Sequence, residues 1–170
     1  MDVFVYGTLT EPDRVREVLD SFAFVGAARL EGLRVVEGRY PALAPPVEAG
    51  NAGDGTDGDA GTNGGDGVAG DDSVCGDDIG VDATVGGRLL RTDEMAALDA
   101  YERVDDGLYV RVSVPLVGPD GERRGEAAVY VGDPARLDAP ASWPGSDPFE
   151  ERVARTVRER GVTVRVQPQG

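Results

Sequence analysis

Apolar and polar positions alternate most regularly over residues 108–116. Leu108, Val110, Val112, Val114 and Leu116 fall on one face, and Tyr109, Arg111, Ser113 and Pro115 on the other, the period of a half-buried strand. Gly118-Pro-Asp-Gly121 then reads as a turn, and 124–131 as the second strand of a hairpin. Upstream, 2–6 is an apolar strand, Gly7-Thr8-Leu9 a turn, and Thr10 a candidate N-cap for a helix running to about Asp20, with Pro12 and Asp13 in its first turn. Residues 22–31 and 33–37 read as strands broken at Gly32, 39–43 as a connection, and 85–91 as a further strand. Near the end, Ser146 or Asp147 is placed to cap a helix with Pro148 in its first turn and Phe149, Val153 and Val157 as its apolar stripe. Residues 162–166 complete the set as a short strand. Many strands, few helices and mostly hairpin connections predict an α+β fold with a curved or closed, largely antiparallel sheet. No βαβ series with a glycine fingerprint occurs, which argues against a dinucleotide fold.

One helix breaks the pattern. Thr92–Glu102 reads as a single helix in which Met95, Leu98 and Glu102 share a stripe at i, i+3 and i+7. That stripe faces the core, where an unpartnered Glu is rare. Glu102 is therefore either a group with a task or a residue at a fraying helix end.

Composition divides the chain unevenly. Residues 46–84 hold 10 acidic residues, 11 glycines and no basic or aromatic residue. Such a stretch buries too little apolar surface to offset its ordering entropy, so it reads as a disordered acidic insertion within a single domain spanning 1–170. Asp54, Asp57, Asp59 and Asp66 do not form a calcium loop, because no Glu closes it at the required position. The single cysteine, Cys75, lies in this stretch and allows neither an internal disulfide nor a CxxC metal site.

The formal net charge is −15, and all 17 basic residues are arginines; there is no Lys and no His. The absence of His removes Ser-His-Asp and Cys-His triads and His-ligated zinc. The absence of Lys removes Schiff-base chemistry and the P-loop lysine. The acidity argues against nucleic acid and membranes as partners. A chain that enters a strand at once, with no apolar run of membrane-spanning length, is expected to be cytoplasmic. Acidity combined with arginine in place of lysine suggests a high-salt cytoplasm; a GC-rich genome with one acidic loop is the alternative.

Two segments carry candidate chemistry. In Val3-Phe-Val-Tyr-Gly-Thr-Leu9 a buried strand runs into a glycine turn and a helix start, where free backbone N–H groups hold an anion. In Leu98-Asp-Ala-Tyr-Glu-Arg-Val104 the Glu ends a helix just before Gly107-Leu-Tyr-Val-Arg111. Taken together with Tyr40-Pro-Ala-Leu43, these segments resemble the gamma-glutamylcyclotransferase-like family over blocks 3–11, 39–43, 85–91, 98–116 and about 126–132. The resemblance implies a small mixed barrel with peripheral helices and one cavity. It implies a substrate loop at Tyr6, Gly7, Thr8 and Leu9, and a general acid/base at Glu102. The implied reaction releases 5-oxoproline from a small γ-glutamyl amine or dipeptide by intramolecular amine attack, without metal or cofactor. Arg103 departs from the resemblance, since the family often has Gly there. Tyr40, Tyr109 and Tyr130 are weaker cavity candidates, and Arg111 is placed either to pair with a carboxylate or, on the polar face of its strand, simply to be solvated. A binding module that keeps the cavity without turnover is the alternative reading.

Overall fold

The computed structural model describes residues 1–46 and 83–168. The acidic insertion, the calcium reading and Cys75 fall almost wholly outside these residues.

Six strands close into a barrel in the order β1 (Asp2–Val5), β5 (Thr84–Arg91), β2 (Ala23–Glu31), β8 (Thr163–Val166), β6 (Tyr109–Val117) and β7 (Arg123–Gly132). Parallel pairing of β1 with β7 shuts the ring, and β6 also runs parallel to β8; the other neighbours are antiparallel. The expected α+β fold with a mixed, largely antiparallel barrel is what forms. A separate antiparallel pair joins β3 (Arg34–Val36) to β4 (Ala42–Ala44). Four helices are described: α1 (Pro12–Val18), α2 (Met95–Tyr101), α3 (Pro134–Leu137) and α4 (Phe149–Arg160).

Side chains of successive strand residues point to opposite faces, and here both faces are used. One cluster draws on all six barrel strands, including Phe4, Leu30, Leu89, Val112, Val129 and Val164, and so fills the barrel interior; Val153 and Val157 of α4 join it. A second cluster takes Val3, Val5, Leu90, Ala128 and Tyr130 from the outer face and packs them with Val15 and Leu19 of the α1 region and Leu98 of α2. Strand β1 is thus covered on both sides, which is why it reads as an unbroken apolar run rather than an alternation. Tyr109 was expected on the polar face of its strand, yet it is buried, and its hydroxyl donates to Pro41 O at 3.1 Å. That end of β6 is roofed by the connection between β3 and β4.

Several helix ends differ from their sequence signals. Thr10 does not cap α1. It lies in a 3-10 turn, Gly7–Thr10, and its hydroxyl donates to Gly7 O at 2.6 Å; Glu11 holds the cap position. Pro148 occupies the N-cap of α4 with no side-chain cap, and Asp147 instead pairs with Arg155. Helix α2 starts at Met95, not Thr92. Thr92 is buried and its hydroxyl donates to Ser21 O, while Ser21 N donates to Glu94 Oε2, so the residues before α2 are bound to the α1–β2 connection. Helix α3 was missed, although its Asp133 cap, accepting from Ala135 N at 2.9 Å, followed by Pro134 is a readable start signal.

Adjacent glycines in β5 allow a test of interior packing. A Cβ on Gly87 would lie 2.3 Å from Val5 O and 2.7 Å from the Phe4 ring, whereas one on Gly86 would meet nothing within 4 Å. Gly87→Ala is expected to lower stability by about 1–3 kcal/mol through overpacking. Gly86→Ala is expected to be neutral or to stabilise by up to about 1 kcal/mol. Urea denaturation of the two variants side by side checks this, and equal effects would count against Phe4 filling the space over Gly87.

Candidate active site

The residues singled out in the sequence meet at one cavity of about 640 Å³. Strand β1 delivers Phe4 and Val5 to its edge, Tyr6 follows the strand, and the 3-10 turn places Gly7, Thr8 and Leu9 beside them. Gly7 adopts φ +64, a left-handed conformation that suits glycine, and this lets the chain turn directly from strand into helix. The first N–H groups of a helical turn lack intrahelical partners, so this turn brings backbone donors to the cavity. The opposite wall is the end of α2, with Ala100, Tyr101, Glu102 and Arg103. Arg39, Tyr40 and Pro41 form a third side. Their segment is held by Arg39 N donating to Leu137 O at 2.7 Å and by the Tyr109 hydroxyl.

Glu102 is the C-cap of α2, with φ −80 and ψ 0, and is partly buried. Its carboxylate accepts no hydrogen bond among the described residues. Burial pushes its pKa up from 4.5 to about 7. Burial likewise raises the Tyr6 phenol well above its usual range, with Tyr109 and Glu102 adding to the effect. Tyr109 is raised by burial first and by Glu102 second. Two phenols and one carboxyl therefore share a poorly solvated space, where a proton on the carboxyl is favoured.

Helix α2 is anchored three residues before Glu102. Asp99 accepts from the Tyr130 hydroxyl at Oδ1 and from Arg111 Nη1 at Oδ2, both at 2.7 Å. Tyr130 and Arg111 are direct cross-strand partners on β7 and β6. The Tyr6 hydroxyl donates to Tyr130 O at 3.2 Å, which links the glycine turn to the same strand. Of the two readings open for Arg111, pairing with a carboxylate is the one found, and the carboxylate is that of Asp99. Tyr40, Tyr109 and Tyr130 all line the cavity. Arg39 and Arg136 line it too but were not singled out in the sequence, although Arg39 falls in block 39–43; each comes from a connection or short helix that periodicity does not resolve.

The residue after Glu102 is strained. Arg103 has φ 53. Its N–H donates to Ala100 O at 3.2 Å and that of Val104 to Asp99 O at 2.9 Å. These paired bonds close a helix around a left-handed residue, the position where glycine is usual. A left-handed conformation costs a side-chain-bearing residue roughly 1–2 kcal/mol.

Comparison with known proteins finds one family model and several solved structures similar to the chain. The family model described as gamma-glutamyl cyclotransferase, AIG2-like, matches residues 3–56, a span that includes Tyr6–Leu9. This agrees with the resemblance read in the sequence over blocks 3–11 and 39–43; the blocks from 85 onward, with Glu102, lie outside the match. A solved human protein described as uncharacterized shares the fold at 16% identity and TM-score 0.52, covering 94% of this chain and 79% of its own. A solved gamma-glutamyl cyclotransferase matches at 16% identity and TM-score 0.49 over 95% and 80%. An Arabidopsis thaliana protein matches at 23% and 0.46 over 93% and 83%. No curated protein matches the chain.

Two stability measurements test the site. Arg103→Gly is expected to stabilise the protein by about 0.5–1 kcal/mol in denaturant unfolding, because glycine removes the left-handed strain. A loss of stability would contradict that account. The raised proton affinity of Glu102 sets a pH dependence. Its favourable contribution is complete below about 4.5, the unfolded value, and is lost as pH rises through about 7. Glu102→Gln is therefore expected to gain roughly 1–3 kcal/mol on the wild type between pH 4.5 and 8. A stability difference that stays constant with pH would show that Glu102 titrates normally.

Proposed function

From its resemblance to the gamma-glutamylcyclotransferase-like family, we propose that this chain is a cyclotransferase that releases 5-oxoproline from a γ-glutamyl amine or dipeptide. The observation that carries the reading is the convergence on one cavity of Glu102, with its pKa raised to about 7, and the Tyr6–Leu9 turn. The family match over residues 3–56 supports it. In this proposal residues 1–170 act as one domain, and the acidic stretch is an insertion that takes no part in the chemistry.

The chemistry asks for little beyond these groups. The substrate's α-amine attacks its own γ-carbonyl carbon, so the reacting atoms are already joined and the protein must chiefly hold them folded. Glu102 takes a proton from the attacking amine. The γ-carbonyl oxygen gains charge as the new C–N bond forms, and the backbone N–H groups of the Gly7–Leu9 turn are the donors that stabilise it. Glu102 then returns its proton to the departing nitrogen as the original amide bond breaks. The products are 5-oxoproline and a free amine. A carboxylate with pKa near 7 suits both steps, since it accepts and releases a proton near neutral pH.

Tyr6 and Tyr109 stay protonated under these conditions, because burial raises both phenols. Their part is to keep the Glu102 environment poorly solvated. Asp99 is a positioning residue: its bonds to Tyr130 and Arg111 fix the helix that ends in Glu102.

Loss of the proton shuttle should be visible directly. Glu102→Gln is expected to remain folded and to lower 5-oxoproline formation by at least about 100-fold. In the wild type, kcat/KM is expected to rise with pH along an acidic limb with an apparent pKa near 7. Mass-spectrometric detection of 5-oxoproline from a mixed γ-glutamyl library measures the first, and a pH series on one good substrate the second. Equal product from wild type and variant would remove Glu102 as the base. Thermal stabilisation by γ-glutamyl compounds without any product would favour a binding module instead.

A further inference from the structure

One buried side chain ties both walls of the cavity together. Tyr130 of β7 is 3% exposed and lines the same cavity as the Tyr6–Leu9 turn and the end of α2. Its carbonyl accepts from the Tyr6 hydroxyl at 3.2 Å, and its own hydroxyl donates to Asp99 Oδ1 at 2.7 Å. The turn thus hangs on its backbone and the helix on its side chain.

Regular pairing fixes neither wall at this point. The parallel pairing of β1 with β7 ends at Phe4 with Val129, one residue short of Tyr130, and the Tyr6 hydroxyl carries the link one step further. Helix α2 has 7 residues and no side-chain cap at its start. A helix this short is marginal by itself, so tertiary contacts place its end. Leu98 supplies an apolar contact and Asp99 a polar one.

The two partners of Asp99 carry unequal weight. The pair with Arg111 is partly exposed, with side chains 37% and 26% accessible, and exposed pairs contribute little. Tyr130 is buried, where water competes poorly and an unpaired hydroxyl is costly. Burial, with the bond to Asp99 adding to it, raises the phenol pKa, so the hydroxyl remains a donor. Asp99 is not among the residues that line the cavity. The hydroxyl is therefore turned to the helix rather than to a substrate.

We propose that Tyr130 is a positioning residue for the cyclisation: holding the Tyr6–Leu9 turn by its carbonyl and α2 by its hydroxyl, it fixes the spacing between the groups that hold the substrate and the carboxylate that moves its proton. This rests on the cyclotransferase reading above. The base must stand at a set distance from the attacking amine, and a small misplacement slows the reaction by a large factor.

Tyr130→Phe removes the hydroxyl and keeps the ring and the carbonyl. The probe is the member of a mixed γ-glutamyl library that the wild type turns over fastest. On it, kcat is expected to fall roughly ten- to hundredfold while KM stays within about threefold. The acidic limb of kcat/KM, expected near pH 7, should also move to lower pH, because a helix end released from β7 leaves Glu102 more solvated. A side chain that only supported the fold would lower the folded fraction and leave both the limb and KM alone. Asp99→Ala breaks the same bond from its other end, and so carries the test if Tyr130→Phe does not fold. The two changes together are expected to slow turnover no more than either alone. Arg111→Gln leaves that bond in place and is expected to lower kcat by no more than about threefold. Wild-type kcat and an unmoved limb in Tyr130→Phe would overturn the inference while leaving the reaction standing. So would a rise in KM with kcat unchanged, which would place the hydroxyl on the substrate. An equal loss in Arg111→Gln would pass the role to the ion pair and overturn it too. If the wild type yields no 5-oxoproline from any member of the library, the cyclotransferase reading fails and the inference fails with it.

Discussion

Strand β1 is the constraint from which the rest follows. It lies between β5 and β7, and its parallel pairing with β7 is the seam that turns an open sheet into a barrel. Its inward Phe4 fills the space over Gly87, and its outward Val3 and Val5 hold the outer layer that includes α2. One short strand therefore joins both cores. It also ends at Val5, and through Tyr6 it delivers the glycine turn to the cavity. A change that loosened β1 would move a wall of the site and the packing behind Glu102 together.

Burial and pairing divide the charged groups in and around the cavity. At the inner end, burial raises the proton affinity of Glu102 and keeps Tyr6 and Tyr109 protonated. Three residues earlier, Asp99 pairs with Arg111 and accepts from Tyr130, and so fastens the helix. Arg39 and Arg136 line the same cavity as exposed residues, each set beside an aspartate. Asp99 and Glu102 thus lie three residues apart in different surroundings, and neighbours rather than residue type distinguish them.

Where a segment's environment was uniform, its sequence was readable. Strand β6 has an apolar inner face and a mostly polar outer one, so its alternation stood out; β1 is buried on both faces, so it showed as a continuous run. The stripe of Met95, Leu98 and Glu102 was legible because helical spacing exposed a charge among apolar residues. Other features depend on partners remote in sequence. Tyr109 is buried by residues 39–43, and nothing in the local alternation of β6 announces that roof. Thr10 has the chemistry of a cap but donates to the preceding turn instead. Arg39 and Arg136 come to the cavity from irregular backbone and a single-turn helix, so no period marks them. The strain at Arg103 was foreshadowed only by the residue type expected there; its cause lies in the hydrogen bonds that close α2.

Barrel closure also bears on the order of folding. The strand between β2 and β6 is β8, residues 163–166, made long after either neighbour. Until β8 is in place the ring has a gap, and β2 and β6 each keep an unpaired edge. Such edges invite pairing with other chains, and pairings between distant segments form slowly because their loop entropy must be met first. The period of greatest exposure to misassembly thus falls during synthesis, before the last strand arrives, and ends once β8 fills the gap and no free barrel edge remains.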